Sequence, residues 1–230
     1  MFTVIFLGAL GILIMLSRQL LFKKIGNAAG LAFKTFASLC FCFAGVFAAL
    51  EHGIDMRVAL ILAAFLMALT GDILLALPPY LKEDYVKFIS GIGGAAFVFG
   101  HILYIVAFAV SAEFMFYLLP AVLLIPTVFA VLIKTGKLKP EKKAALPIIC
   151  YGLILGAMAT TTLNLVLKTT VSGYTAFAAA LLFVLSDTAL FFFNFGSDKI
   201  KSLHGKLFTY FVMVPYFAAQ ALFAVTILYL

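Results

Sequence analysis

Charged side chains are scarce in this chain of 230 residues: they make up 11% of it, whereas a soluble domain carries about 25%. Hydrophobic residues make up 66%, and they form runs of roughly 20 residues that are joined by short connections. No segment long enough for a soluble domain remains outside those runs. The composition therefore excludes a water-soluble fold and predicts an all-α integral membrane protein with a single transmembrane domain over residues 1–230.

The chain also lacks the short motifs of several enzyme classes. It contains no G-x-S-x-G, H-E-x-x-H, P-loop or G-x-G-x-x-G pattern, which argues against serine-hydrolase and zinc-hydrolase chemistry. Only three histidines and three cysteines are present, and Cys40, Cys42 and Cys150 all fall within hydrophobic runs, where thiols are packing residues. We therefore predict no metal and no cofactor, so that any enzymatic chemistry would depend on carboxylates.

Eight hydrophobic runs predict a polytopic bundle of eight transmembrane helices. Prolines and short basic or polar segments separate them, such as Pro78-Pro79 and the lysine-rich stretch 137–143. The predicted spans are residues 2–17, 29–50, 57–77, 89–110, 114–134, 145–167, 174–194 and 207–230.

The positive charges indicate the orientation of this bundle. The first, third, fifth and seventh loops hold 13 of the 16 Lys and Arg residues, and cationic loops stay in the cytoplasm. The odd-numbered loops are therefore predicted to be cytoplasmic and both termini to face outward. The net charge of +7 is explained by these loops, so it does not indicate nucleic-acid binding. The short loops favour a multi-pass protein of the bacterial inner membrane, and the oligomeric state is left open.

Four ionisable residues lie inside predicted spans: Lys34, Asp72, His101 and Asp187. Each costs at least about 2.5–3.5 kcal/mol to insert at membrane depth. A rise of 1.5 Å per residue places Lys34, Asp72 and Asp187 about 8–10 Å from the cytoplasmic edge and His101 near mid-membrane, about 18 Å deep. The cluster is interpreted as a functional polar cavity, and a purely structural lysine–aspartate pair is the alternative.

Uncharged polar residues accompany these four. Helical spacing places His101 on one face with Tyr104, Asp187 with Asn194, and Tyr216 with Gln220. The predicted supporting residues are Lys34, His101, Tyr104, Asn164, Asn194, Tyr210, Tyr216 and Gln220.

The two aspartates occur in similar local sequences. Gly-Asp-x-x-Leu at 71–75 resembles Ser-Asp-x-x-Leu at 186–190, and 29 residues separate Asp72 from His101 as well as Asp187 from Tyr216. A parallel duplication of four plus four helices, each half supplying one carboxylate, would explain both matches. Chance similarity is the competing explanation.

Several longer patterns carry a resemblance to a known family. They are Gly71-Asp72-Ile-Leu-Leu75, Phe88-x-x-Gly91, Gly94-x-x-Phe97-x-x-x-His101-x-x-Tyr104, Phe183-x-x-Ser186-Asp187-Thr-x-Leu190 and Tyr210 followed by Tyr216-x-x-x-Gln220. In order and spacing they resemble the lysoplasmalogenases, the YhhN-like membrane proteins. The resemblance implies eight spans and hydrolysis of the vinyl-ether bond of lysoplasmalogens to a fatty aldehyde and a glycerophospho-ethanolamine or -choline. It also implies that Asp72 and Asp187 are the paired catalytic aspartates.

Vinyl-ether cleavage needs a carboxylic acid that protonates the β-carbon, and a carboxylate that stabilises the resulting cation and activates water. Two aspartates close together in a low dielectric cannot both ionise easily, so one is expected to hold a proton. If Lys34 lies next to one of them, that one stays ionised and the other is the acid. The sequence does not decide which of Asp72 and Asp187 has which role.

Two other functions fit the same residues. A proton-coupled transporter of lipids or small molecules would use the buried aspartates for coupling, although no span has the Gly- and Pro-interrupted pattern of broken transporter helices. A non-catalytic scaffold would tolerate substitution at every buried polar position. For the enzyme, the expected partners are a lysophospholipid substrate and bilayer lipids.

Overall fold

The computed structural model of the protein describes residues 1–21, 27–110, 115–168, 170–203 and 207–230. All regular structure within these ranges is helical, which confirms the predicted fold class. The helices are α1 (Phe2–Leu21), α2 (Asn27–His52), α3 (Met56–Ala76), α4 (Glu83–Ala109), α5 (Leu119–Val122), α6 (Leu124–Lys134), α7 (Lys142–Val166), α8 (Val171–Phe195), α9 (Asp198–Ser202) and α10 (Val214–Ile227). A π-helical segment, Thr209–Met213, leads directly into α10.

Six of the described helical segments are long and apolar enough to cross a membrane, so the chain is a multi-pass membrane protein. They are α2, α3, α4, α7, α8 and the combined segment Thr209–Ile227. The first and fifth predicted spans correspond to shorter apolar helices, Phe2–Arg18 and Leu119–Lys134. The count of eight spans stays a prediction.

The fifth predicted span is interrupted where the sequence analysis expected one helix over 114–134. It divides at Leu123 into α5 and α6. Pro126 has no N–H to donate to the carbonyl of Val122 four residues earlier, so the helical ladder breaks at this point. Gly156 of α7 packs directly against that carbonyl, where a Cβ atom would overlap it. The break therefore follows from one proline and from the close approach of a neighbouring helix.

The helices pack in a closed circuit. In order around it, α1 contacts α2, α2 contacts α3, α3 contacts α4, α4 contacts α7, α7 contacts α8, α8 contacts α10, and α10 returns to α1. Helix α10 also packs against α2, and 61% of the span that contains it is buried, the largest share of any candidate span. Helix α6 lies outside the circuit against α7. Polar side chains that α10 carries therefore face the interior of the bundle.

The outward-facing surface is apolar. Many large hydrophobic side chains are exposed, and on α2 alone they include Phe36, Phe43, Phe47 and Leu50. Such a surface is stable in contact with lipid acyl chains and unstable in water. Buried polar groups consequently stand out inside the bundle, where they need partners from the protein itself.

Candidate functional site

Asp72 of α3 lies at the centre of a hydrogen-bonded group that three helices build. Lys34 of α2 places its Nζ 3.0 Å from Oδ1 of Asp72. Ser38 donates to Oδ2 at 2.6 Å, and the hydroxyl of Tyr216 on α10 donates to the same oxygen at 2.7 Å. The Asp72 side chain is 2% exposed and that of Lys34 is 12% exposed. An ammonium and two hydroxyl donors thus surround a buried carboxylate, which is the arrangement that an ionised carboxylate requires.

The local sequence explains how these donors reach Asp72. Lys34 and Ser38 are four residues apart on α2, so they share one face of the helix. Tyr216 follows the π-helical segment and Pro215, which cannot donate a backbone hydrogen bond. In that segment the carbonyl of Val212 accepts a hydrogen bond of 2.9 Å from Ser186. The irregular backbone that precedes Tyr216 is therefore held by the residue next to Asp187.

Asp187 of α8 has a different set of neighbours. The hydroxyl of Tyr151 on α7 donates to its Oδ2 at 2.6 Å. Nε2 of His101 on α4 lies 4.0 Å from the same oxygen. Asp187 is 7% exposed, and no ammonium or guanidinium pairs with it among the described residues. The two aspartates therefore differ in one property above all: a cation balances Asp72, whereas among the described residues one phenol and one imidazole face Asp187.

The imidazole of His101 is oriented by its own helix. Its Nδ1 lies 2.6 Å from the carbonyl oxygen of Phe97, one turn earlier on α4. A carbonyl can only accept, so Nδ1 carries the hydrogen and Nε2 has the free lone pair in the neutral ring. The ring packs edge-on against Phe183 and Tyr151, and the residue is 1% exposed. Nε2 is buried and has no hydrogen-bond partner within the described ranges.

The two aspartate groups are neighbours that aromatic rings separate. The ring centroid of Phe183 lies 5.3 Å from that of Tyr216, which belongs to the Asp72 group, and 4.5 Å from that of His101, which belongs to the Asp187 group. Within the part of the chain that the structure describes, no direct hydrogen bond joins the two carboxyl groups. The two aspartates thus have different partners, and Phe183 packs against one member of each group; a shared catalytic role for the two carboxyl groups stays a prediction.

Tyr104 and Gln220 form a third buried contact beside these groups. The Tyr104 hydroxyl donates to Oε1 of Gln220 at 2.6 Å, and both side chains are almost fully buried. Gln220 lies one turn after Tyr216 on α10, and Tyr104 lies three residues after His101 on α4. This bond therefore joins the two helices that carry Tyr216 and His101.

Three predicted supporting residues lie elsewhere. Asn164, near the C-terminal end of α7, accepts a hydrogen bond of 3.0 Å from the backbone N–H of Met115. Asn194, near the C-terminal end of α8, is exposed, and so is Tyr210, at 47%. The structure brings Lys34, Asp72 and Tyr216 together, His101 together with Asp187, and Tyr104 together with Gln220. A substrate-contacting role for the other three stays a prediction.

The sequence analysis missed two residues that hydrogen-bond to the aspartates. Ser38 has a signal in the sequence, because it lies one turn after Lys34 on the same helical face. Tyr151 has a weaker signal: it is a phenol within an apolar run, flanked by Cys150 and Gly152. Neither signal is specific, because the helix that each one meets is not predictable from spacing along a single helix.

The two groups share one connectivity. Each aspartate contacts the helix that precedes its own, α2 for Asp72 and α7 for Asp187. Each also meets a residue 29 positions after the other aspartate: Tyr216 approaches Asp72, and His101 approaches Asp187. Helix α4, in the first half of the chain, therefore supplies a side chain to the Asp187 group in the second half, and helix α10, in the second half, supplies one to the Asp72 group in the first half.

Comparison with known proteins identifies one family. The family model described as the YhhN family matches residues 29–227, which includes every helix from α3 to α10 and both aspartate groups. No curated protein and no solved structure matches the chain. Since the matched region covers most of the 230 residues, the chain belongs to the YhhN family, the family of lysoplasmalogenases.

Proposed function

We propose that the protein hydrolyses the vinyl-ether bond of lysoplasmalogens, releasing a fatty aldehyde and a glycerophospho-ethanolamine or -choline. Membership of the YhhN family supports a hydrolase of this class. The single observation that carries the proposal is the unequal pairing of Asp72 and Asp187. Acid-catalysed cleavage needs one carboxyl group that holds a proton and one that holds a negative charge. The ammonium beside Asp72 favours the charged form there, and the lack of a described cation beside Asp187 favours the protonated form.

Asp187 is the proton donor in this proposal. No cation balances its charge within the described contacts, and a buried carboxyl group without a cation costs less to hold in its neutral form. Its proton goes to the β-carbon of the vinyl ether and leaves an oxocarbenium ion, which water captures. The resulting hemiacetal then separates into aldehyde and alcohol.

Asp72 is the permanent carboxylate. Lys34 compensates its charge at 3.0 Å, so the ion pair remains charged inside the bundle. Both oxygens of Asp72 already accept hydrogen bonds or an ionic contact, so its role is to stabilise the positive charge of the oxocarbenium ion rather than to take a proton. Tyr216 fixes its orientation.

We further infer eight spans, with α1 and the pair α5–α6 crossing as short spans, and cytoplasmic odd-numbered loops in a bacterial inner membrane. The shared connectivity of the two aspartate groups supports an origin by duplication of four helices. Cysteine labelling from either side of the membrane tests the orientation. In a background lacking Cys40, Cys42 and Cys150, a cysteine at Lys139 should react only from the cytoplasm and one at Gly53 only from outside.

The reaction is tested by aldehyde release from a lysoplasmalogen in detergent micelles by the purified protein. Asp187→Asn should lower the rate by about 10²-fold or more, the usual contribution of an acid–base group. Asp72→Asn should also lower it by about 10²-fold or more, because the charge that stabilises the cation is lost. Asp198→Asn, an exposed aspartate at the start of α9, is the matched control and should keep full activity. Near-normal turnover by both site variants, each folded like the wild type, contradicts the proposal.

Proton-coupled transport is the alternative function, and the same purified protein and its variants can test it. Reconstituted vesicles with an imposed pH gradient would accumulate labelled lysolipid under that alternative, and no aldehyde would form. Accumulation that depends on Asp72 and Asp187 without product would replace the hydrolase proposal.

A further inference from the structure

We propose that His101 is the catalytic base that removes a proton from the attacking water, at a water-binding position between its Nε2 and the carboxyl group of Asp187. The inference rests on the proposed vinyl-ether hydrolysis. That reaction needs a group that accepts the proton of the water, and among the described residues the lone pair of His101 Nε2 is the acceptor beside Asp187 that no other group engages.

The geometry around Asp72 argues against a base at that position. Its Oδ2 accepts from both Ser38 and Tyr216, and its Oδ1 faces the ammonium of Lys34. A carboxylate whose charge and lone pairs are already engaged is a weak proton acceptor. Asp187 becomes a carboxylate once it has given up its proton, so it competes with His101 for the proton of the water. Its Oδ2 already accepts from Tyr151 at 2.6 Å, whereas Nε2 of His101 accepts from no group among the described residues.

His101 has the properties that the base requires. Its Nδ1–H is directed at the Phe97 carbonyl at 2.6 Å, which leaves a lone pair on Nε2. Nε2 is buried and unpartnered within the described ranges, although the ring is held by Tyr151 and Phe183. A buried nitrogen without a partner is costly and rare in folded proteins, so a missing ligand is the natural explanation.

The distance to Asp187 identifies the size of that ligand. Nε2 lies 4.0 Å from Oδ2, too far for a hydrogen bond between the two groups. One oxygen atom can stand about 2.8 Å from both of them and bond to each. In the Asp72 group, Tyr216 has the corresponding place and closes directly on the carboxylate at 2.7 Å. In the Asp187 group the corresponding residue stops 4.0 Å short of the carboxylate, a separation that one water oxygen can bridge.

The proton transfers balance with no further reactant. Asp187 gives its proton to the β-carbon and becomes a carboxylate. Nε2 of His101 takes one proton from water while the water oxygen bonds to the oxocarbenium carbon. The imidazolium then returns that proton to Asp187 through the next water molecule that binds between the two groups. The hemiacetal hydroxyl proton moves to the ether oxygen as the carbon–oxygen bond breaks, so the sum is substrate plus one water.

A deuterium-exchange experiment separates the two roles. Wild-type protein and variants are incubated with a lysoplasmalogen in D₂O, and both the released aldehyde and the recovered substrate are analysed by mass spectrometry. In His101→Asn, the amide N–H₂ can replace Nδ1–H as the donor to Phe97, while the basic Nε2 and the ring that packs on Tyr151 and Phe183 are lost. We expect aldehyde release to fall about 10²-fold or more. Recovered substrate should carry deuterium at its vinyl β-carbon, because the cation that waits for water rotates about its Cα–Cβ bond and returns its original hydrogen, rather than the deuteron, to Asp187.

His101→Gln serves as the second variant, since its amide places a polar but non-basic group near the position of Nε2. It should show the same exchange with the same loss of aldehyde. Asp187→Asn should show neither exchange nor aldehyde, because no proton reaches the β-carbon. Thermal unfolding in micelles identifies which variants are folded.

The outcomes distinguish the two proposals. A wild-type protein that releases no aldehyde overturns the vinyl-ether reaction and the role of His101 with it. An active wild type whose folded His101 variants keep their rate, or lose it without exchange into the substrate, overturns the role of His101 alone. Loss of rate with exchange in either folded His101 variant supports both.

Discussion

Replacement of Lys34 by methionine tests whether the buried ion pair stabilises the bundle through compensation of charge. Lys34 and Asp72 are 3.0 Å apart, and their side chains are 12% and 2% exposed. Removal of one partner from a buried pair leaves an uncompensated charge and costs roughly 3–5 kcal/mol. Lys34→Met should therefore lower the free energy of unfolding by about that amount. Asp72→Asn should cost less, because the long lysine side chain can extend toward the cytoplasmic edge.

The double variant Lys34→Met with Asp72→Asn supplies the decisive comparison. It removes both charges, so its loss of stability should be smaller than the sum of the two single losses by at least about 1 kcal/mol. Denaturant titration in micelles, followed by circular dichroism, measures all three variants. The double variant should stay inactive in the aldehyde assay although it is more stable than Lys34→Met. Additive losses of stability would refute charge compensation, and retained activity would refute a chemical role for Asp72.

Two further substitutions test the packing and the capping of helices outside the aspartate groups. Gly156→Ala should destabilise the protein by about 1–3 kcal/mol, because the new Cβ atom would overlap the Val122 carbonyl. Gly94→Ala is the control: its Cβ atom would have open space, so the variant should unfold at nearly the wild-type temperature. Thermal unfolding in micelles measures both variants. Asp55→Ala should cost about 1 kcal/mol, since Asp55 caps α3 by accepting the Val58 N–H at 2.9 Å. That hydrogen bond holds the pKa of Asp55 below its ordinary value. The stabilisation that the Asp55 cap contributes should therefore be complete above about pH 4 and should disappear as the pH falls through the lowered pKa of Asp55 in the folded protein. Unfolding midpoints of the wild type and of Asp55→Ala, measured against pH, test this expectation.

Depth along a helix was partly predictable from the sequence, and position around a helix was not. The rise per residue places Lys34 and Asp72 at one level, and their ion pair agrees with that prediction. The same arithmetic placed His101 about 8 Å deeper than Asp187, yet its Nε2 lies 4.0 Å from the Asp187 carboxylate. The rise per residue does not show that α10 lies against α2 and α8, where Tyr216 reaches Asp72. Which helices are neighbours depends on packing between segments that are far apart in the chain. Asn194 illustrates the limit. Its spacing of seven residues from Asp187 predicted that the two side chains share one face of the helix, yet Asn194 is exposed.

The different partners of the two carboxyl groups were beyond the sequence for a related reason. Buried acidic residues in a bundle predict a common polar interior, but they do not show which side chains pack around each of them. Phe183 is four residues before Asp187 on α8 and was counted as part of a family pattern, with no role of its own. In the structure its ring packs on both Tyr216 and His101, so it contacts one member of each aspartate group.

The assignment of acid and carboxylate follows from one difference between two otherwise corresponding groups. Both aspartates follow a small residue, both accept a short hydrogen bond from a tyrosine, and both meet a side chain from the far half of the chain. In the part of the chain that the structure describes, an ammonium lies beside Asp72 and none lies beside Asp187. In the Asp187 group, the preceding helix supplies the phenol of Tyr151 instead of a cation, and the approaching residue is a histidine with a free nitrogen. If that difference sets the roles, a cation introduced beside Asp187 by Tyr151→Lys should hold it ionised and abolish proton donation, whereas Tyr151→Phe should leave the acid able to react.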